Sequence, residues 1–116
     1  MATLDATLGG ATSNTYIDLA EADAIAANLY GGELWIARPI EERSISLLQS
    51  TMWMETLDYV GLRCTATQRL KWPRSGGTCD GVSAVCTGIP YKVKEAEVLV
   101  AFQLAIDPNA ILGESG

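Results

Sequence analysis

The segment Pro90-Tyr91-Lys92-Val93-Lys94-Glu95-Ala96-Glu97-Val98-Leu99-Val100-Ala101-Phe102-Gln103-Leu104-Ala105-Ile106 decides the fold. Its apolar residues recur at helical spacing along two lines. Val93, Ala96, Val100 and Leu104 form one stripe, and Leu99, Phe102 and Ile106 form a second. A helix with two apolar stripes lies at the centre of a bundle, or is covered by more than its immediate neighbours. Asp107-Pro108 stops it, because proline lacks the amide N–H that another turn requires.

Reading outward from this helix, two earlier segments supply its partners. Residues 18–30 are strong helix formers, with Thr15, Asp18 and Glu21 offering capping oxygens and negative charge at the positive end of the dipole. Leu19, Ala22, Ala26 and Leu29 or Tyr30 make a narrow stripe, and Gly31-Gly32 is expected to end the helix. Trp35 and Ile36 fall in the connection. Pro39 suits the start of a second helix running to residue 57 or 58, with Glu41 and Glu42 at its positive end. Leu47, Leu48, Thr51, Met52 and Glu55 share one side of it, and Ile40, Ile45 and Trp53 widen the apolar surface. A short helical turn is expected over residues 66–71, stopped by Pro73. Between residues 74 and 90 the chain is rich in glycine, and Asp80-Gly81 beside Thr78-Cys79 and Val82 reads as the tip of a type I′ hairpin. Residues 1–15 read as an extended arm and residues 107–116 as a tail. The fold expected is mainly α: a small bundle of three main helices and a short helical turn, with a β-hairpin arm and flexible terminal arms, in one domain over residues 1–116.

Composition narrows the function. The chain of 116 residues has a formal net charge of -6 and no histidine. Without histidine it has no ordinary proton shuttle near neutral pH and no Ser–His or Cys–His couple. Its acidity disfavours binding to phosphate backbones. Cys64, Cys79 and Cys86 are an odd set, read first as free thiols in a reducing cytoplasm; a Cys79–Cys86 bridge is the alternative, leaving Cys64 alone. Three cysteines without histidine fall short of a closed zinc site. No stretch approaches the ~20 apolar residues of a membrane span, and no basic segment opens the chain as in a signal peptide.

The remaining candidates each have a plainer reading. Asp18, Glu21 and Asp23, Glu41 with Glu42, and Glu95 with Glu97 are carboxylate clusters. At helix starts these are solvated partners of the dipole rather than acid–base pairs. Cys64 has only Arg63 beside it to stabilise a thiolate. Arg63, Arg69, Lys71 and Arg74 around Trp72 would be the platform of a single-strand binder. The plainer reading makes Trp72 a packed anchor and pairs the arginines with carboxylates. No enzyme activity and no cofactor is expected.

A family resemblance adds to this. Asn14-Thr15-Tyr16-Ile17 leads into Ala20-Glu21-Ala22-Asp23-Ala24, and Trp35 follows the first helix. Leu47-Leu48-Gln49-Ser50-Thr51 is followed by Met54-Glu55. The most specific stretch is Gln68-Arg69-Leu70-Lys71-Trp72-Pro73-Arg74, similar to Q-x-L-x-W-P-R. Asp80-Gly81 then precedes Ile89-Pro90, Val93-Lys94 and Ala96-Glu97. In this order the segments resemble a family of small phage proteins, over residues 14–106. Ser50 stands where that family usually has alanine, and Glu55 where it has aspartate.

Members of the family carry two labels: DnaT-like single-stranded-DNA-binding protein, and head–tail adaptor (head-completion or neck protein) of tailed bacteriophages. Of the two, the adaptor suits an acidic chain better, since carboxylates facing a channel let DNA slide through. The resemblance then implies a structural virion protein at the phage neck, assembled in the host cytoplasm. Its partners would be the portal protein, copies of itself in a dodecameric ring, tail or neck proteins, and double-stranded DNA passing without specific binding; no membrane is involved. Trp72, Pro73, Arg74, Ile89 and Pro90 would anchor the hairpin to the bundle. Asp107, Pro108, Ile111 and Leu112 would meet the portal. Tyr16, Gly76, Gly77, Asp80 and Gly81 would meet neighbouring subunits or tail proteins. The alternative is the single-strand-binding module.

Overall fold

The computed structural model describes residues 2–76, 78–79, 82–83 and 85–107. Helix α4, Tyr91–Ile106, is the axis around which the other elements gather, packing chiefly on α3 (Ile40–Met54) and also on α1 (Leu19–Ala26) and α2 (Gly32–Ile36). Two short antiparallel pairs complete the mainly helical fold. β1 (Leu62–Arg63) pairs with β2 (Arg74–Ser75), with Arg63 opposite Arg74. β3 (Thr78–Cys79) pairs with β4 (Val82–Ser83), with Cys79 opposite Val82. That second pair is the expected hairpin; its tip, Asp80-Gly81, lies outside the described residues.

Several boundaries move for identifiable reasons. Asp18 caps α1 by accepting the Glu21 N–H at 2.8 Å, a contact worth about 1 kcal/mol. The helix stops at Ala26, before the glycine pair. Gly32 instead lies in α2, where a Cβ would sit 2.1 Å from the Ala26 carbonyl oxygen. Trp35 and Ile36 are therefore helical, not connecting. The fully buried Trp35 donates Nε1–H to Asp23, and Arg43 Nη1 donates to both oxygens of the same carboxylate at 2.8 Å. One half-buried carboxylate of α1 thus ties α2 and α3 to it.

The expected turn of helix over residues 66–71 does not form. Its peptide groups bond elsewhere: the Gln68 carbonyl accepts from Arg63, and the Arg69 N–H reaches the Gly10 carbonyl. The short helix of this fold is α2 instead. The face of α3 also differs from expectation. Ser44, Ser46, Leu47, Ser50, Thr51 and Met54 are buried, while Ile40, Ile45, Met52 and Trp53 are exposed. Small hydroxyl residues let α4 approach closely, and Ser50 Oγ–H donates to the Glu97 carbonyl at 2.8 Å.

The N-terminal segment is ordered on its own chain rather than reaching outward. The Ala2 N–H donates to Glu41, Asp5 and Asn14 bond reciprocally, and Ser13, Thr15, Tyr16 and Ile17 are buried. The cysteine expectation is also corrected. Cys64 and Cys86 form a disulfide, tying β1 to the far end of the glycine-rich segment. Folding brings these two within 5.7 Å at Cα across 22 residues, a proximity that their spacing in sequence does not reveal.

Candidate functional site

The cations singled out in the sequence do converge. Arg63, Arg69, Lys71 and Arg74 line one open cleft of about 400 Å³, together with Tyr59, Glu55 and Asp58. β1 and β2 supply Arg63 and Arg74, and the irregular segment between them supplies Arg69 and Lys71. Their donors are largely directed at backbone. The buried Arg74 guanidinium donates to the carbonyls of Tyr59, Val60, Gly61 and Lys71 at 2.6–3.2 Å and lies 6.0 Å from the Tyr59 ring centroid. Lys71 Nζ donates to the Leu57 carbonyl at 2.7 Å, Arg63 to that of Gln68 at 3.0 Å, and Arg69 to that of Ser13 at 3.2 Å. Among the described residues Arg63, Arg69 and Arg74 form no ion pair with a carboxylate, the pairing that the sequence suggested; they hold loops.

Trp72 is not available as a stacking platform. It is only 6% exposed, sits edge-on to Tyr59 with ring centroids 5.3 Å apart, and precedes Pro73 through a cis peptide bond. Gln68, 2% exposed, holds the same loop. Its Nε2 donates to the Leu70 and Pro73 carbonyls and its Oε1 accepts the Thr65 N–H. The stretch from Gln68 to Arg74 is thus held by bonds within the chain, with the buried Trp72 Nε1–H left, among the described residues, as the group without a partner.

Two carboxylates are central to this part of the molecule: Glu55, and Glu97, which the sequence reading had left as a solvated charge. Glu55 accepts from Tyr16 Oη–H and from the Lys71 N–H, joining α3, the segment before α1 and the loop. Burial, and next that hydrogen bond to Glu55, raise the Tyr16 hydroxyl pKa. Burial followed by the charge of Glu55 raises Tyr59. Glu97 is fully buried, accepting Thr15 Oγ1–H at 2.5 Å and the Tyr16 N–H at 3.0 Å. Burial pushes its carboxyl up to about 7, against the pull of its hydrogen bonds from Thr15, Tyr16 and Thr51. The signal for Glu97 was legible: Val93, Glu97 and Ala101 follow one another at i, i+4, i+8, and all three are buried.

The other expected contact residues fall in different places. Pro73 and Arg74 are buried; Ile89 packs against the core, and Pro90 is the N-cap of α4. Tyr16 is core and therefore cannot serve as an exposed subunit contact in this conformation. Gly76 is exposed beside β2 with φ 83°. Asp107 is exposed at the end of α4. Gly77, Asp80, Gly81, Pro108, Ile111 and Leu112 lie outside the described residues. Among the described residues no group of histidine, cysteine, aspartate and glutamate is placed to hold a metal ion. No helix among the described residues is long and apolar enough to cross a membrane.

The outward surface also carries large apolar side chains. Ile40, Ile45, Met52 and Trp53 on α3, Tyr91, Leu99 and Ile106 on α4, and Val60 and Leu62 between them all expose much of their surface. A second, mostly apolar groove of about 310 Å³ lies where the end of α3 meets the first turns of α4.

No curated protein and no solved structure matches the chain. A family model does, over residues 3–111, a span that takes in all four helices and both strand pairs. The chain belongs to that family, described as "Putative DnaT-like ssDNA binding protein".

Proposed function

We propose that the chain is an assembly subunit, a head–tail adaptor that forms a ring with copies of itself beneath a phage portal and joins head to tail while DNA passes through. The observation that carries this reading is the outward apolar surface of α3 and α4, with Ile40, Met52 and Leu99 each more than half exposed. Large apolar side chains left this exposed on two neighbouring helices suit a surface that another protein covers. The chain's net charge of -6 supports a lumen that repels passing phosphates. The test is co-sedimentation of purified protein with portal particles. Saturable binding at ring stoichiometry is expected; protein left wholly in the supernatant sinks the reading.

A second reading, single-stranded DNA binding, is supported by the family description and by the cleft in which four cations face two carboxylates. Against it stand the burial of Trp72 and the engagement of each cation with backbone carbonyls. Fluorescence anisotropy with a labelled oligonucleotide separates the two. Under the adaptor reading no titration is expected at micromolar protein. Binding that weakens steeply between about 50 and 200 mM salt would transfer the function to the cleft.

A further inference from the structure

We infer that the apolar groove beside the first turns of α4 is the seat for the Ile111-Leu112 pair of a neighbouring copy of the chain. This rests on the ring reading and names its subunit contact. The groove is walled by Trp53, Leu57, Val60, Trp72, Val93 and Ala96, with Lys92 and Asp58 also lining it. Its volume of about 310 Å³ suits a pair of aliphatic side chains. Val60 is 67% exposed at its mouth, so the groove is open to an incoming segment.

Chain length says which segment, and from which copy. Beyond Asp107 the sequence reads Pro-Asn-Ala-Ile-Leu-Gly-Glu-Ser-Gly, and Ile111-Leu112 is its one pair of large apolar side chains. The tail leaves from the last turn of α4, whereas the groove lies at the first turns of the same helix. From Asp107 back along the helix axis, the near wall at Ala96 is about 16 Å away and Val93 about 21 Å, at 1.5 Å per residue. Fully extended and turned straight back, the tail carries Leu112 about 17 Å and Ile111 about 14 Å. Leu112 then comes level with the near wall only and Ile111 stops short of it, so the pair cannot both seat in a copy's own groove; a neighbour's groove carries no such limit. Donor segment and acceptor groove sit at opposite ends of one helix, so the contact is head-to-tail, the kind that closes into a ring. The tail thereby receives a seat other than the portal.

The test uses full-length chains and reads mass by light scattering after size exclusion, with circular dichroism confirming the fold. Wild type is expected to assemble. The tail variant Ile111→Asp with Leu112→Asp, and the groove variant Val60→Asp, are each expected to be monomers. Mixed one to one, they are expected to form a dimer and nothing larger, because only one intact groove and one intact tail can meet. A tail variant that assembles as wild type does, or a mixture that stays monomeric, overturns the inference. If the tail variant keeps both the ring and co-sedimentation with portal, the tail assignment fails and the ring reading stands. If wild type neither self-assembles nor co-sediments with portal, the ring reading itself has failed and the inference with it.

Discussion

Glu97 is the residue whose environment departs furthest from what its type suggests. A fully buried carboxyl with hydroxyl and amide donors is held near pKa 7, where a free glutamate sits near 4.5. Because the folded value is raised, this group's contribution to stability is complete below about pH 4.5 and is lost as pH rises through 7. The wild-type melting temperature should therefore fall between pH 5 and pH 8, by the equivalent of roughly 3 kcal/mol from this group. Glu97→Gln keeps an acceptor for the Tyr16 N–H and cannot ionise, so its melting temperature should be flat over the same range. Thermal melts of both proteins across that interval check this; parallel curves would show that Glu97 is not the source. Arg74 is the second such residue. Lysine keeps the charge but cannot fork across the Tyr59, Val60, Gly61 and Lys71 carbonyls. Arg74→Lys should lower the unfolding free energy in urea by about 3 kcal/mol, with little change in helical signal at zero denaturant.

At the level of elements, helices with long uninterrupted patterns were legible and the segments between them were not. The two-stripe pattern of residues 90–106 predicts α4 to within a residue and also its central position, because helical period and apolar spacing are local properties. Its detail was less legible: the buried line is Val93, Glu97, Val98 and Ala101, while Leu99 and Ile106 face out. For α3, Leu47 and Thr51 are buried as read, but Ile40, Ile45, Met52 and Trp53 face out while three serines are buried, and Ser50 bonds the backbone of α4. The segment from Gln68 to Arg74 carried a resemblance but no readable secondary structure, because side chain-to-backbone bonds replace a regular ladder there. The disulfide belongs to this scale too. Cys64–Cys86 closes a loop of 22 residues, for which chain entropy gives about 3 kcal/mol of stabilisation. Reduction with dithiothreitol should lower the urea midpoint by that equivalent, and Cys64→Ser should reproduce the loss and be insensitive to the reductant.

The molecule as a whole presents exposed apolar helix faces beside a cation-lined cleft whose donors are engaged with backbone, and ionic strength separates what these two surfaces do. Association through apolar faces should persist or strengthen from about 0.1 to 1 M salt, whereas contacts made by the cleft to phosphate should vanish. Sedimentation velocity at both salt concentrations reads the difference: dissociation at high salt would place the interface on charges instead. By itself the sequence determined the mainly helical class, the extent and centrality of α4, the Asp18 cap and the hairpin strands, all fixed by local periodicity, capping chemistry and turn residues. Only the tertiary structure decided that Glu97 and Tyr16 are interior, that Asp23 pairs with Trp35 and Arg43, that the cations of the cleft donate to carbonyls, that Cys64 finds Cys86, and that the opening segment folds back on its own chain. Each of these is a contact between residues far apart along the chain, and neither spacing nor composition records which distant groups will compensate one another once water is removed.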